Sequence, residues 1–148
     1  MDIQPIIAFT SAVTAIAVGF FTGGQWFTNR ARLKHELFDR RYAIYEKITQ
    51  FLADVLINSQ LPPGREEEFL RETKLAFFVF NCDPNIKSLV EDIYGHAIHL
   101  HTVIVQIKET TGDERMNMLN KEQEIRNWFM DTLKSIEKKF ENYLRLKH

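Results

Sequence analysis

The sequence predicts an all-α protein in which an N-terminal transmembrane helix continues into a cytoplasmic up-down four-helix bundle. Three observations carry that expectation. Residues 3–29 contain no charged side chain, and Arg30, Arg32 and Lys34 follow at once. Downstream, apolar residues recur at three- and four-residue spacing, and no alternating pattern suggests a strand. Turn-forming residues at 58–64, 81–84 and 110–113 separate the periodic segments.

Wound as a helix, residues 3–28 reach about 39 Å, enough to cross a hydrocarbon core of about 30 Å with some tilt. The start, Met1-Asp2-Ile3-Gln4-Pro5, lacks the positive region of a cleaved signal, so the segment is expected to remain as an anchor. Asp2 is the only charge before Arg30, whereas Arg30, Arg32, Lys34, Arg40 and Arg41 crowd the other flank. Positive charge is retained on the cytoplasmic side, which places residues 30–148 there and the N-terminus outside. Trp26 and Phe27 then fall at the inner headgroup level. The expected division is a transmembrane helix at 1–29 and a bundle at 30–148.

Leu33, Leu37, Ile44, Ile48, Phe51, Leu52 and Val55 carry the first cytoplasmic helix to about Ile57. Pro62 and Pro63 exclude a helix through the next turn. Glu66, Glu67 and Glu68 suit the positive end of a second helix, expected to turn Phe69, Leu70, Leu75, Phe77, Phe78 and Phe80 inward and to stop near Asn81. Asp83-Pro84 reads as an N-cap followed by proline at the first helical position, opening a third helix through Ile86, Leu89, Val90, Ile93, Ile98 and Val105. A fourth, from Asp113 to about Leu146, aligns Met116, Leu119, Ile125, Trp128, Phe129, Leu133, Ile136, Phe140 and Tyr143. Short connections favour antiparallel neighbours, so the last helix should return to the end from which the first departs.

Composition narrows the function classes. Setting aside Asp2, the 148-residue chain has 19 acidic residues after position 29 against 19 Lys and Arg, a balance that argues against strong nucleic-acid binding. Cys82 is the single cysteine, which excludes an intramolecular disulfide and is read as buried or turn-adjacent filler. Twelve Phe, four Tyr and two Trp imply an aromatic core.

Ser11, Ala15, Gly19 and Gly23 form a four-residue series of small side chains that lets membrane helices approach closely. Gln4, Ser11, Thr14, Thr22 and Gln25 form a weakly polar set near one side. The polar set either faces an interface or lumen, or places its glutamines at the membrane surfaces with hydroxyls bonded to their own helix. Together these features favour a closed ring of subunits through Ser11, Thr14, Ala15, Gly19, Thr22, Gly23 and Gln25. Lys134, Lys138, Lys139, Arg145 and Lys147 would join Arg30, Arg32 and Lys34 at the anionic inner leaflet, or else complement the helix dipole.

Two constellations are candidates for chemistry. Asp92, His96 and His99 share a helical face and offer a carboxylate and two imidazoles to a transition metal. With no fourth ligand in view, and Gly95 suggesting close packing, the expectation is ordinary core or interface histidines, no metal and no cofactor. Arg30, four residues, then His35 resembles the signature of the HEPN class of helical ribonucleases, which implies phosphate handling by Arg30 and proton transfer by His35. No phosphate loop or nucleophile elbow accompanies it, so the chain is expected not to be an enzyme.

Leu37-Phe38-Asp39-Arg40-Arg41-Tyr42-Ala43-Ile44-Tyr45-Glu46 resembles a block in a family of small bacterial membrane proteins, as do Phe80–His101, around Asp92-Ile93-Tyr94, and the ending Phe140-Glu141-Asn142-Tyr143-Leu144. In plan the chain also resembles the HEPN-like membrane accessory of type VI CRISPR systems. That resemblance implies a bacterial inner-membrane protein with the bilayer, further copies of itself and an RNA-guided defence partner as associates. The leading expectation is therefore a homo-oligomeric pore-forming or depolarising effector of antiviral defence. The alternatives are a membrane-anchored adaptor for a cytoplasmic partner and a HEPN-like ribonuclease.

Overall fold

The computed structural model describes residues 4–58 and 61–145, with the side chains at 4–25, 27 and 31 left aside. The described residues are all helical apart from turns and caps. They form α1 (Gln4–Ile57), α2 (Arg65–Thr73), α3 (Ala76–Val79), α4 (Pro84–Glu109) and α5 (Gly112–Leu144). The chain divides into two compact units, Met1–Leu37 and Phe38–His148. In the first unit the backbone is helical from Gln4 onward. Among the described residues no helix is long and apolar enough to cross a membrane. The side chains of the uncharged stretch at 4–25 lie outside the described residues.

The second unit is an up-down bundle. Phe51 of α1 stacks on Phe69 of α2 with ring centroids 4.2 Å apart, and Lys47 meets Glu72 at 3.0 Å, so rising numbers in α1 meet falling numbers in α2. The same crossing order relates α2 and α3 to α4, through Glu66 and His101 at one end and Phe77 and Lys87 at the other. It relates α4 to α5 through His96 on Trp128 and Asp83 with Tyr143. Arg126 reaches Val55 O while Tyr143 meets Arg41, which returns α5 to the end where α1 enters this unit.

The second expected helix is broken. α2 ends at Thr73, and α3 restarts at Ala76 after Lys74 and Leu75. Thr73 Oγ1 donates to Phe69 O at 2.8 Å, a back-bond that bends helices. Its buried stripe is Glu66, Phe69, Thr73, Ala76 and Phe80, one helical face at three- and four-residue steps. Leu70, Leu75 and Phe78, expected inward, are exposed. The reason is geometric: residues 75–80 are apolar on every side, and a single contact stripe cannot bury them all.

Beyond α3, Asn81 and Cys82 take left-handed backbone conformations, with φ of 59° and 58°, an uncommon pair for residues bearing side chains. Cys82 N–H donates to Phe77 O at 2.7 Å and Asp83 N–H to Phe80 O at 3.1 Å, so the corner satisfies its own backbone donors. Cys82 is turn-adjacent and exposed rather than buried. Asp83 caps α4 as expected, its Oδ1 accepting from Asn85 N–H at 2.8 Å with Pro84 at the first helical position.

Several inward assignments shift for the same geometric reason. Ile98 and Val105 on α4 and Met116 and Leu119 on α5 are exposed, lying off the stripes that meet neighbouring helices, and Leu33 and Leu37, in the first unit, are exposed as well. A Cβ added at Gly95 would meet nothing within 4 Å, so this glycine does not mark close packing. α5 begins at Gly112, whose φ of 63° suits glycine at the tight α4–α5 turn, and ends at Leu144.

Phe51 of α1, Phe69 of α2, Phe80 at the end of α3 and Phe129 and Phe140 of α5 are fully buried. Phe80 packs edge-on against Phe140 and Tyr143, at 5.0 and 5.3 Å between centroids. Truncating a buried phenylalanine removes its transfer energy and leaves a cavity, so Phe69→Ala should cost about 3–5 kcal/mol. Phe78→Ala, at an exposed site, should fall within about 0.5 kcal/mol. Denaturant unfolding of the two variants followed by circular dichroism measures the difference; equal losses would contradict this packing.

Candidate functional site

The end of the bundle where α1 enters the second unit is held by Arg41. Its Nε donates to Val79 O at 3.0 Å, one terminal nitrogen to Asn81 Oδ1 at 3.1 Å and the other to Tyr143 O at 3.4 Å. The guanidinium also lies 5.6 Å from the centre of the Tyr143 ring. Tyr143 in turn donates its hydroxyl proton to the Asp83 carboxylate. One side chain of α1 thus joins the corner after α3 and the end of α5, while the residue capping α4 is fastened to the same tyrosine. The Tyr143 hydroxyl, aided by Asn85 N–H, holds the Asp83 carboxyl below the usual carboxylate range, and the same bond pushes the Tyr143 phenol up.

Charge is arranged differently at the opposite end. Arg65 pairs with Asp54 at 2.9 Å, with Glu68 at 2.7 Å and with Glu72 at 3.8 Å. Burial opposes its charge, but the hydrogen bonds to Glu68 and Asp54 outweigh burial and raise its pKa. Arg126 donates to Val55 O at 2.9 Å and to Asn58 O, satisfying the carbonyls left open where α1 ends. Glu66 is 4 % exposed, and its Oε1 has no hydrogen-bond partner. His101 Nδ1 lies 3.5 Å from that oxygen, beside a cavity of about 10 Å³ lined by Leu61, Ala97, Leu100 and Ile104.

The histidine set does not converge. The His96 ring stacks on Trp128 at 3.7 Å, nearly parallel, and its Nδ1 lies 2.8 Å from Asp92 O. The Asp92 carboxylate accepts from Ser88, and His99 is exposed. Among the described residues no group of three or more His, Cys, Asp or Glu is placed to hold a metal ion.

Arg30 and His35 are both exposed on α1, Arg30 over the Trp26 ring at 5.1 Å. Arg32 pairs with Glu36 at 3.2 Å, and Lys34 is exposed. Lys138 and Lys139 are exposed on α5, Lys134 lies 3.6 Å from Asp131, and Arg145 pairs with Glu141. The side chains of Ser11, Thr14, Ala15, Gly19, Thr22, Gly23 and Gln25, and all of Lys147, lie outside the described residues.

A groove of about 270 Å³ opens between α2–α3 and the start of α4, walled by Leu70, Phe77, Phe78 and Val90 with Lys74 and Lys87 at its edges. Sequence reading missed it because it assigned Leu70 and Phe78 to the core. It also missed buried Glu66, although a position three residues before Phe69 falls on the same helical face and signals burial. No protein-family model, curated protein or solved structure matches the chain.

The Asp83–Tyr143 bond has a pH signature. Asp83 is lowered in the folded state, so its contribution is present above the ordinary aspartate pKa and is lost as pH falls through the folded value. Tyr143→Phe should therefore lower the melting temperature at neutral pH, and the gap to wild type should close in strong acid. Thermal melts of both proteins across an acid series measure this; a gap independent of acid would contradict the bond.

Proposed function

We propose that the chain is a single-pass protein of a bacterial inner membrane that self-associates through its N-terminal helix and acts as a pore-forming or depolarising effector in antiviral defence. The observation that carries the reading is the uncharged stretch 3–29, with its small-residue series Ser11, Ala15, Gly19 and Gly23 and the cations Arg30, Arg32 and Lys34 directly after it. Its support is the continuity of the α1 backbone from Gln4 to Ile57. An unbroken helix satisfies its own backbone groups, the condition for crossing lipid. The bundle then stands on the cytoplasmic side, with the cations of α1 and α5 available to anionic headgroups.

An anchored adaptor is the second reading, and the exposed groove beside Leu70, Leu75 and Phe78 favours it, because exposed apolar patches mark contact surfaces. A ribonuclease is the least supported, since Arg30 stacks on Trp26 and His35 has only the motif spacing to recommend it.

Overexpression of the wild type should depolarise cells and admit an impermeant dye. Gly19→Leu with Gly23→Leu should abolish permeability and the oligomer together, whereas an adaptor would keep its partner binding. Cells that stay polarised and impermeable under triggering conditions would contradict the pore. Purified protein should leave RNA intact; cleavage abolished by Arg30→Ala or His35→Ala would establish the ribonuclease instead.

A further inference from the structure

The bundle carries two exposed surfaces of opposite character at one level along its length. On α1, Asp39, Tyr42, Ala43, Glu46 and Gln50 are all exposed and recur at three- and four-residue steps, so they form a single outward face. That face presents two carboxylates, one aromatic ring and a flat alanine. The Tyr42 ring is 49 % exposed and is braced from behind by Phe38 and Tyr45 at 6.2 and 6.1 Å between centroids. The groove between α2–α3 and α4 is its counterpart. It exposes Phe78 at 68 % and Leu70 at 42 %, and it carries the ammonium groups of Lys74 and Lys87 against the single carboxylate of Glu91. Lys87 Nζ lies 5.9 Å from the centre of the Phe77 ring and 3.7 Å from Glu91.

Two contacts set the level. Lys47 pairs with Glu72 and Arg41 with Val79 O, so residues 74–78 lie alongside residues 42–46 of α1. Copies related by rotation about an axis along the bundle keep their levels, which makes level the decisive property: only surfaces at equal level can meet side by side. Here an acidic aromatic stripe and a basic aromatic groove satisfy that condition on different faces of the same bundle.

We propose that the groove of one copy receives the α1 stripe of the next, with Tyr42 and Ala43 against Phe78, Glu46 facing Lys74, and Asp39 on the side of Lys87. The contact is heterologous, because each copy contributes a different surface, and repeated rotation about an axis along the bundle closes it into a ring. The proposal rests on the self-associating membrane reading and gives it a cytoplasmic interface separate from the small-residue series of the anchor.

The test uses the full chain in lipid nanodiscs, with size measured by light scattering. Lys74→Glu with Lys87→Glu reverses the groove, and Asp39→Lys with Glu46→Lys reverses the stripe. Each variant alone should lose the oligomer while keeping the wild-type melting curve, and mixing the two should restore it, since an acidic groove fits a basic stripe and the unaltered surfaces still pair. In a Cys82→Ser background, Ala43→Cys on one copy should crosslink to Phe78→Cys on another. Wild-type oligomers unaffected by both reversals, or a mixture that fails to reassemble, would overturn the interface while leaving anchor-driven association standing. A monomeric wild type would overturn both. Groove reversal that spares the oligomer but abolishes capture of another cytoplasmic protein would assign the groove to that partner and also overturn the proposal.

Discussion

The bundle depends on where the Arg41 guanidinium is placed. A planar group with several donors can satisfy carbonyls from separate segments at once, which a lysine could not do in the same geometry. Here it serves the carbonyl of Val79, the side chain of Asn81 and the carbonyl of Tyr143. The corner at 79–83 has two consecutive left-handed residues, and such backbone persists only when its surroundings over-determine it. Arg41 supplies part of that determination, and the Tyr143–Asp83 bond supplies more. The direction of α4, which starts at that corner, follows from both.

With this end fixed, aromatic packing sets the rest. Tyr45, Phe140, Phe80 and Tyr143 form a continuous edge-on and tilted series just inside the Arg41 contact, and Phe51 on Phe69 fills the middle. At the far end Arg65 and Arg126 close the turn after α1 with carboxylates and carbonyls. Polar closure at both ends around an aromatic centre leaves Tyr42, Leu70, Leu75 and Phe78 on the outer surface of the bundle.

Much of this was legible in the sequence. The end of α1 at Ile57, the Asp83 cap with Pro84, the turn at 110–112 and the antiparallel order all follow from local rules about proline, capping residues and short connections. Which apolar residues lie inside was less legible. Between Leu75 and Phe80 nearly every side chain is apolar, so periodicity cannot choose a face, and only the packing of Ala76 and Phe80 against the core reveals that Phe78 points away. Arg41 was equally hidden. It binds carbonyls and an amide contributed by distant segments, which no local pattern around Arg41 signals. The histidines show the limit of spacing too: Asp92, His96 and His99 share a face, but only the structure shows that stacking on Trp128 commits the His96 ring to α5.

The single membrane crossing with the bundle inside is a proposal that the native Cys82 can test directly, because it is exposed and is the chain's single cysteine. A membrane-impermeant maleimide applied to spheroplasts expressing the chain should leave Cys82 unlabelled until the membrane is opened, while Asp2→Cys in a Cys82→Ser background should label in intact spheroplasts. Labelling of Cys82 in intact spheroplasts, or recovery of the protein in the supernatant after the membranes are sedimented, would contradict it.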